Sequence, residues 1–244
     1  MLNNLPQVTK NILILNVLFF IATLVFQERG VDLIQLLGAH YVNSPLFNPY
    51  QIVTYFFMHG NFFHILMNMY LFVILGSYLE RLWGAKRFFI FYIICAVAAF
   101  GLYNIIGAYE LYHLKQILIS QDFPIDNINS LLKEHKVITE LYASSAEYGL
   151  YAEKASLPMV GASGAIFGIM TAFAILFPNT EFLLYFAIPV KAKFLVGFYL
   201  LFEVIMAFQN NYNDPVAHLA HIGGAIAGAI IVLIWRKKDR ANFW

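Results

Sequence analysis

Three polar groups interrupt the apolar stretches of this sequence, and together they hold the residue types that acyl transfer requires. His64 and Asn68 are four residues apart and so share one face of a helix. Ser163 lies in a second apolar stretch, and His218 and His221 open a third. Because a serine attacks a carbonyl only when another group takes its proton, we predict that Ser163 is a nucleophile and His221 its general base. His218 is the alternative base.

Small residues indicate how these segments could meet. The pairs Gly164–Gly168 and Gly224–Gly228 have the spacing that lets two membrane helices approach closely. Such an approach would bring Ser163 toward His221. Phe167 lies on the same helix face as Ser163, so its ring would pack against the imidazole and hold its rotamer.

The residues around Ser163 would also provide an oxyanion site. Ser163 lies near the predicted start of a helix, whose unpaired N–H groups favour a developing anion. His64 and Asn68 would add side-chain donors to it. Each motif has a structural explanation as well, because Gly-x-Ser-Gly runs are common in close helix packing and polar pairs can simply link two helices.

Other titratable residues receive no catalytic role from the sequence. Glu203 is the one acidic residue inside a predicted span, and its position alone indicates no specific function. Asp214 lies seven residues before His221 and could orient it, but its loop position disfavours this role. The remaining histidines are assigned to loop or surface roles: His40, His59, His113 and His135.

The elements that must position these residues are membrane helices. The chain has 244 residues, of which 61% are hydrophobic and 12% charged, against about a quarter charged in soluble proteins. Five stretches contain no Asp, Glu, Lys or Arg: 11–27, 41–79, 88–109, 155–180 and 215–235. Since about 20 apolar residues cross a bilayer, we predict an all-α polytopic membrane protein forming a single domain, 1–244. The six predicted spans are 11–26, 62–79, 88–108, 159–177, 194–208 and 216–235.

Two polar connections stand out between the predicted spans. Residues 27–61 are too polar to cross the membrane and are predicted to fold against the helices at the outer interface. Residues 109–158 are predicted to form an external insert between the third and fourth spans. Apolar residues recur there at helical spacing on both sides of Pro124, which predicts a small helical hairpin.

The distribution of charge predicts the orientation. If the N-terminus is cytoplasmic, ten basic and three acidic residues lie on that side, and five basic and ten acidic residues lie outside. The excess of Lys and Arg predicts that both termini are cytoplasmic. The three polar groups then lie at one depth, near the outer ends of their spans. A net charge of +1 leaves no basic surface for nucleic acid, and the lone Cys95 forms neither an internal disulfide nor a zinc site by itself.

With these motifs in this order, the chain resembles the rhomboid family of intramembrane serine proteases. The resemblance begins in residues 48–60 and covers most of the chain. Several separated motifs are more specific than a single Gly-x-Ser-Gly run. They are His64-xxx-Asn68-Met69, Gly76, Glu80-Arg81-xx-Gly84, Lys86-Arg87-Phe88, Gly161-Ala162-Ser163-Gly164 and Ala220-His221-Ile222-Gly223-Gly224-xxx-Gly228.

The resemblance implies a six-helix rhomboid-like bundle that hydrolyses peptide bonds in or beside the transmembrane segments of other proteins. Ser163 and His221 would form a dyad without an acidic partner. His64, Asn68 and the backbone N–H of Ser163 would form the oxyanion hole, and residues 209–217 would be a cap that opens for substrate and water. The supporting residues would be Gly161, Gly164, Phe167 and His218.

The implied partners are the lipid bilayer and single-span membrane proteins whose helix unwinds easily near the outer face. No cofactor, metal or nucleic acid is implied, and the sequence predicts no oligomeric state. The insert 109–158 is longer than the usual connection in the family. It is either a solvated spacer or a cover that caps the substrate entrance or recruits substrates. Short loops and basic ends favour a bacterial inner membrane.

Two other classes of protein stay open at this point. A catalytically silent rhomboid-like protein would bind membrane clients without cutting them, although such a protein would normally lack the serine or the histidine. A transporter or metal carrier built on the membrane histidines would want more carboxylates through the depth of the membrane than Glu203 alone.

Overall fold

The computed structural model describes residues 4–134, 136, 145–184, 188–209 and 216–238, and these are mostly helical. Tyr55–Phe57 form a 3-10 turn, and Phe72–Gly76 form a π-helical turn. In chain order, the helices are α1 (Gln7–Gln27), α2 (Leu33–Leu37), α3 (Gln51–Thr54), α4 (Phe62–Trp83), α5 (Ala85–Ser120), α6 (Ile125–Lys133), α7 (Ala146–Ser156), α8 (Ser163–Leu176), α9 (Ala192–Gln209) and α10 (His218–Lys238).

Five of these helices, α1, α4, α5, α9 and α10, are long and apolar enough to cross a membrane. The sixth apolar helix, α8, has 14 residues, which span about 21 Å against a hydrocarbon core of about 30 Å. Every residue of α8 from 164 to 173 is buried, so this helix lies inside the bundle. The predicted all-α membrane bundle is confirmed, and α8 alone is too short to cross the whole hydrocarbon core.

The helices α8 and α10 pack at glycine contacts. A Cβ added at Gly224 would overlap the backbone carbonyl of Gly164, and one added at Gly228 would lie 2.5 Å from the carbonyl oxygen of Gly168. Any side chain at these positions would push the two helices apart. On the α5 side of α8, a Cβ at Gly168 would lie 2.5 Å from the sulfur of Cys95, which is buried in the core. The predicted contact between the fourth and sixth spans is confirmed.

The first two spans are longer than predicted. The carboxylate of Glu80 on α4 accepts hydrogen bonds from the N–H groups of Val8 (2.9 Å) and Thr9 (2.7 Å). A carboxylate at a helix N-terminus satisfies free donors and opposes the helix dipole, so α1 begins before the predicted residue 11. The helix α4 continues past residue 79 to Trp83, and Gly84 ends it with a φ of +80°.

The fourth span begins later than predicted. Residues 159–161 are not helical, because Met159 pairs with Ala39 through two backbone hydrogen bonds of 2.8 Å. The helix α8 therefore covers Ser163–Leu176 and not 159–177. The fifth and sixth spans were predicted at 194–208 and 216–235. They correspond to α9 and α10, whose ends differ from the prediction by one to three residues.

The insert contains the predicted helical segments on either side of Pro124, but its first arm is not a separate helix. The third span, predicted to end at 108, continues as α5 through Ser120, so the first arm of the hairpin is the end of a membrane helix. The helices α6 and α7 follow, and Ile138 and Leu141, which extended the predicted second arm, lie outside the described residues. Together with Tyr41 of the connection between α1 and α4, these elements form a second small hydrophobic core. Its members are Tyr41, Leu111, Leu114, Leu118, Ile125, Ile128, Leu132, Tyr148, Tyr151, Ala152 and Ala155.

Residues 27–61 pack against the helices, as predicted. Tyr55, Phe56 and Met58 are almost completely buried, and the Tyr55 hydroxyl donates a hydrogen bond of 2.7 Å to the carbonyl of Ala96 on α5. This contact ties the connection between α1 and α4 to the centre of the bundle. The segment therefore fixes the entry to α4, where two of the predicted site residues lie.

A small β-hairpin between α8 and α9 was not predicted. Its strands are β1 (Glu181–Leu184) and β2 (Ile188–Lys191), paired antiparallel with Glu181 opposite Lys191. A short apolar run does not distinguish a strand from a helix by periodicity alone. The hairpin is a local addition to the helical bundle and lies at the opposite end of α8 from Ser163.

Candidate active site

The turn before α8 places Ser163 in the first position of the helix. Gly161 has a φ of +118°, which residues with a side chain rarely adopt, and a Cβ there would lie 2.8 Å from Nε2 of His64. The chain therefore turns sharply at Gly161 and enters α8 at Ser163. The first N–H groups of a helix have no partner within it, so donors face the space beside the serine.

The side chains of Ser163 and His221 are in hydrogen-bonding contact, with Oγ 2.7 Å from Nε2. The ring of Phe167, one helical turn after the serine, stacks on the imidazole of His221 with centroids 4.3 Å apart and planes 13° apart. Stacking of this kind restricts rotation of the ring. The imidazole is therefore held with Nε2 directed at the serine.

The other side of the imidazole contacts an acidic residue of α9. Oε2 of Glu203 lies 2.8 Å from Nδ1 of His221 and 2.6 Å from Nδ1 of His218. All three side chains are buried, and Glu203 is only 3% exposed. His218 and His221 are three residues apart on one face of α10, which lets both rings reach the same oxygen. Ser163, His221 and Glu203 thus form a continuous line of hydrogen-bonding contacts.

Glu203, His218 and His221 also have the side chains of a metal site, because their ligand atoms lie within 4.8 Å of one another. Two ligands of a tetrahedral zinc ion, each about 2.0–2.1 Å from the metal, stand roughly 3.3 Å apart. The contacts of Glu203 with His218 and His221, at 2.6 and 2.8 Å, are shorter than this. The spacing is that of hydrogen bonds.

Side chains from α4 reach the same turn. A Cβ added at Gly161 would lie 2.8 Å from Nε2 of His64 and 3.5 Å from Nδ2 of Asn68. Nδ2 of Asn68 is buried and has no hydrogen-bond partner among the described residues. A buried donor without a partner costs free energy, which is the arrangement expected of a donor held for a ligand or an intermediate.

Behind His64 lies a second histidine, His59, whose ring packs edge-on with centroids 5.0 Å apart. His59 is 1% exposed. Burial, and after it the charge of His64, lower the pKa of His59 to about 3. The ring is therefore neutral at physiological pH and supports His64 by packing.

Of the histidines predicted to have loop or surface roles, His40 and His59 lie in loops but not at the surface. His59 and His40 are both buried, and Nε2 of His40 lies 3.2 Å from the carbonyl oxygen of Ser156 at the end of α7. Burial here depends on contacts between distant segments, which the local sequence does not reveal. His113 is exposed, as predicted, and His135 lies outside the described residues.

Glu203 is the site residue whose place the sequence did not reveal. Asp214, considered above as an orienting acid, lies outside the described residues, as does most of the predicted cap at 209–217. The position beside Nδ1 of His221 is occupied by Glu203, which is 18 residues away along the chain and on another helix. One signal was present, because an acidic residue inside a membrane span is expected to have a polar partner.

Comparisons with known proteins agree with the motifs. A family model described as "Rhomboid domain" matches residues 47–114 and 135–238, which together are well over half of the chain. A curated protein of Schizosaccharomyces pombe, described as an uncharacterized rhomboid protein, mitochondrial, is 25% identical over 233 residues. That alignment covers 82% of this chain and 56% of the relative, so this chain spans little more than half of the relative's length. All of the site residues described above lie within the matched ranges.

Proposed function

The chain belongs to the rhomboid family, and from this premise we propose that it is an intramembrane serine endopeptidase with Ser163 as nucleophile and His221 as general base. Family membership supports a protease-like function of the membrane bundle in general. The observation that carries the specific proposal is the 2.7 Å contact between Oγ of Ser163 and Nε2 of His221, partly buried in a bundle of apolar helices.

The reaction begins with proton transfer from Ser163 to Nε2 of His221 as Oγ attacks the carbonyl carbon of the scissile peptide. The C–N bond then breaks, the leaving amine takes the proton from Nε2, and the acyl group stays on Ser163. A water molecule next gives a proton to His221 and attacks the ester. Collapse of the second intermediate returns that proton to Ser163 and releases the new carboxyl end.

The negative oxygen of each tetrahedral intermediate is received by donors around the turn before α8. The backbone N–H of Ser163 and the side chains of His64 and Asn68 are the proposed donors. Nδ2 of Asn68 has no partner among the described residues, which supports this role, because a donor that is already aimed and dehydrated needs no reorganisation during the reaction.

The short length of α8 supports a recessed site. Peptide bonds within a transmembrane helix are protected by their own hydrogen bonds, and the substrate must unwind before Ser163 can reach one. We therefore propose single-span membrane proteins with a weakly helical segment as substrates. We propose that both termini are cytoplasmic and that the site opens to the outer face. Short loops and basic ends suit a bacterial inner membrane, whereas the Schizosaccharomyces pombe relative is described as mitochondrial.

A cleavage assay in proteoliposomes tests this function. A panel of tagged single-span proteins is co-reconstituted with wild type, Ser163→Ala, His221→Ala or the control Ser120→Ala, which alters an exposed serine at the end of α5. We expect wild type and Ser120→Ala to cut at least one substrate and the other two variants to cut none. Equal cleavage by Ser163→Ala would refute the nucleophile. Binding of the panel without cleavage by wild type would favour the catalytically silent alternative.

A further inference from the structure

The carboxylate of Glu203, on α9, lies inside the bundle, where the residue is 3% exposed. An ionised carboxylate in such a position is costly unless it is paired and hydrogen-bonded. Among the described residues, Oε2 contacts two imidazole nitrogens of α10, those of His218 and His221. The carboxylate is thus positioned against the proposed general base.

The contact with His221 determines which ring nitrogen carries the proton. An ionised carboxylate only accepts hydrogen bonds, so Nδ1–H of His221 donates to Oε2 of Glu203. In a neutral imidazole the other nitrogen, Nε2, is then bare and accepts from Oγ–H of Ser163. This is the tautomer that a general base requires.

The same contact also compensates the charge that forms during the reaction. When Ser163 gives its proton to Nε2, His221 becomes an imidazolium with both nitrogens protonated. The carboxylate of Glu203 then faces this cation at the 2.8 Å contact seen here. A fixed carboxylate in this position lowers the energy of the ion pair that accompanies attack.

The carboxylate itself is held from a second side. His218 contacts the same oxygen at 2.6 Å, so Oε2 is fixed between two rings. With Phe167 stacked on its face, His221 is constrained by an aromatic ring, an acid and the serine. An acidic residue that served only to form an ion pair inside the bundle would need a contact with one histidine, whereas Glu203 contacts two.

We propose that Glu203 is a positioning residue that completes a Ser163–His221–Glu203 triad, with His218 anchoring its carboxylate. The sequence resemblance implies a dyad without an acidic partner, so this arrangement distinguishes the chain from that expectation. The inference rests on the proposed function for its catalytic meaning, and its closing measurement is independent of activity.

The kinetic test compares wild type with Glu203→Gln in proteoliposomes. Glutamine preserves the size of the side chain, removes its charge and can stabilise the wrong tautomer of His221. We expect kcat to fall by roughly 10²–10⁴ while KM changes little. A kcat within about tenfold of wild type, or a change confined to KM, would overturn the proposal.

The variant His218→Gln is the matched control, because it removes the second contact of Oε2 and leaves the one with His221. We expect a smaller loss of kcat than in Glu203→Gln, since the acid still reaches the base. A larger loss in His218→Gln would overturn the assignment, because His218 would then be the more important partner.

The direct test is ¹⁵N NMR of histidine-labelled wild-type protein in lipid nanodiscs, with His221 assigned by the loss of its signals in His221→Asn. We expect a proton on Nδ1 and a bare Nε2. A proton on Nε2 alone, or signals that a chelator shifts as expected for loss of a bound metal, would overturn the hydrogen-bonded triad. This measurement stands even where Glu203→Gln fails to fold.

The two proposals fail in different ways. Cleavage by Ser163→Ala would refute the proposed function. The NMR measurement would still test whether Nδ1 of His221 carries the proton. Full activity in Glu203→Gln, with Ser163→Ala inactive, would refute only the positioning role.

Discussion

The contact between α8 and α10 leads to a quantitative prediction at Gly224. In Gly224→Ala the new Cβ would lie 2.6 Å from the carbonyl carbon of Gly164. Ordinary carbon contacts lie at about 3.5–4.0 Å, and the new Cβ also overlaps the carbonyl oxygen of Gly164, so the helices must separate locally by at least about 1 Å. Ser163 immediately precedes Gly164, and His221 lies one turn before Gly224. The separation therefore stretches the 2.7 Å contact between Ser163 and His221 to nearly 4 Å, beyond hydrogen-bonding distance.

The expected result is a loss of activity larger than the loss of stability. Misplacement by about 1 Å can cost roughly 10² in rate, and overpacking of this kind costs about 1–3 kcal/mol of unfolding free energy. Cleavage kinetics in proteoliposomes and thermal melting in detergent measure the two effects. The matched control is Gly197→Ala on α9, where an added Cβ meets nothing within 4 Å. A kcat within about twofold of wild type in both variants would refute the idea that this contact sets the site geometry.

Three further predictions concern the donors and histidines beside Ser163. Asn68→Ala should lower kcat by roughly 10²–10³ without lowering the melting temperature, because the buried Nδ2 has no partner to lose among the described residues; an unchanged kcat would contradict its oxyanion role. Gly161→Ala should lower both kcat and the melting temperature, since it strains a φ of +118° and presses on His64, and wild-type kinetics would show that the turn can relax. Acid should destabilise the fold through His59, because the unfolded chain binds a proton below the ordinary pKa of 6.5, whereas the folded chain binds one only near its pKa of about 3. Stability should therefore fall as the pH drops through that window, by about 2 kcal/mol at pH 5. His59→Asn should reduce the difference between the melting temperatures at pH 7 and pH 5. An undiminished difference would show that His59 is not the cause of the acid destabilisation.

Local patterns carried most of what could be predicted. Ser163 and His221 each lie beside glycines at four-residue spacing, so the sequence contained both the proposed catalytic side chains and the packing that joins them. The relation of His64 to Asn68 is a property of one helix turn and is equally visible. Phe167 follows Ser163 by one turn, and its stacking on the imidazole needed no other information.

Contacts between distant segments account for what was missed. The prediction ended the third span near its first charge, Glu110, yet α5 continues to Ser120, and Glu110 pairs with Lys154 of α7 at 2.6 Å. Charges outside the hydrocarbon layer do not stop a helix. His59 is buried by the ring of His64 and by neighbouring turns, which its own sequence surroundings do not reveal. Glu203 required the rotation of α9 relative to α10, and no local pattern encodes that angle.

The measurement that tests the central claim most directly is intact-protein mass spectrometry after reaction with a fluorophosphonate in lipid nanodiscs. Wild type should gain one adduct, and peptide mapping should place it on Ser163. Ser163→Ala should gain none, and His221→Ala should react far more slowly because its serine has lost the base. Labelling of wild type at another residue, or equal labelling of Ser163→Ala, would contradict the account of Ser163 as a serine activated by His221.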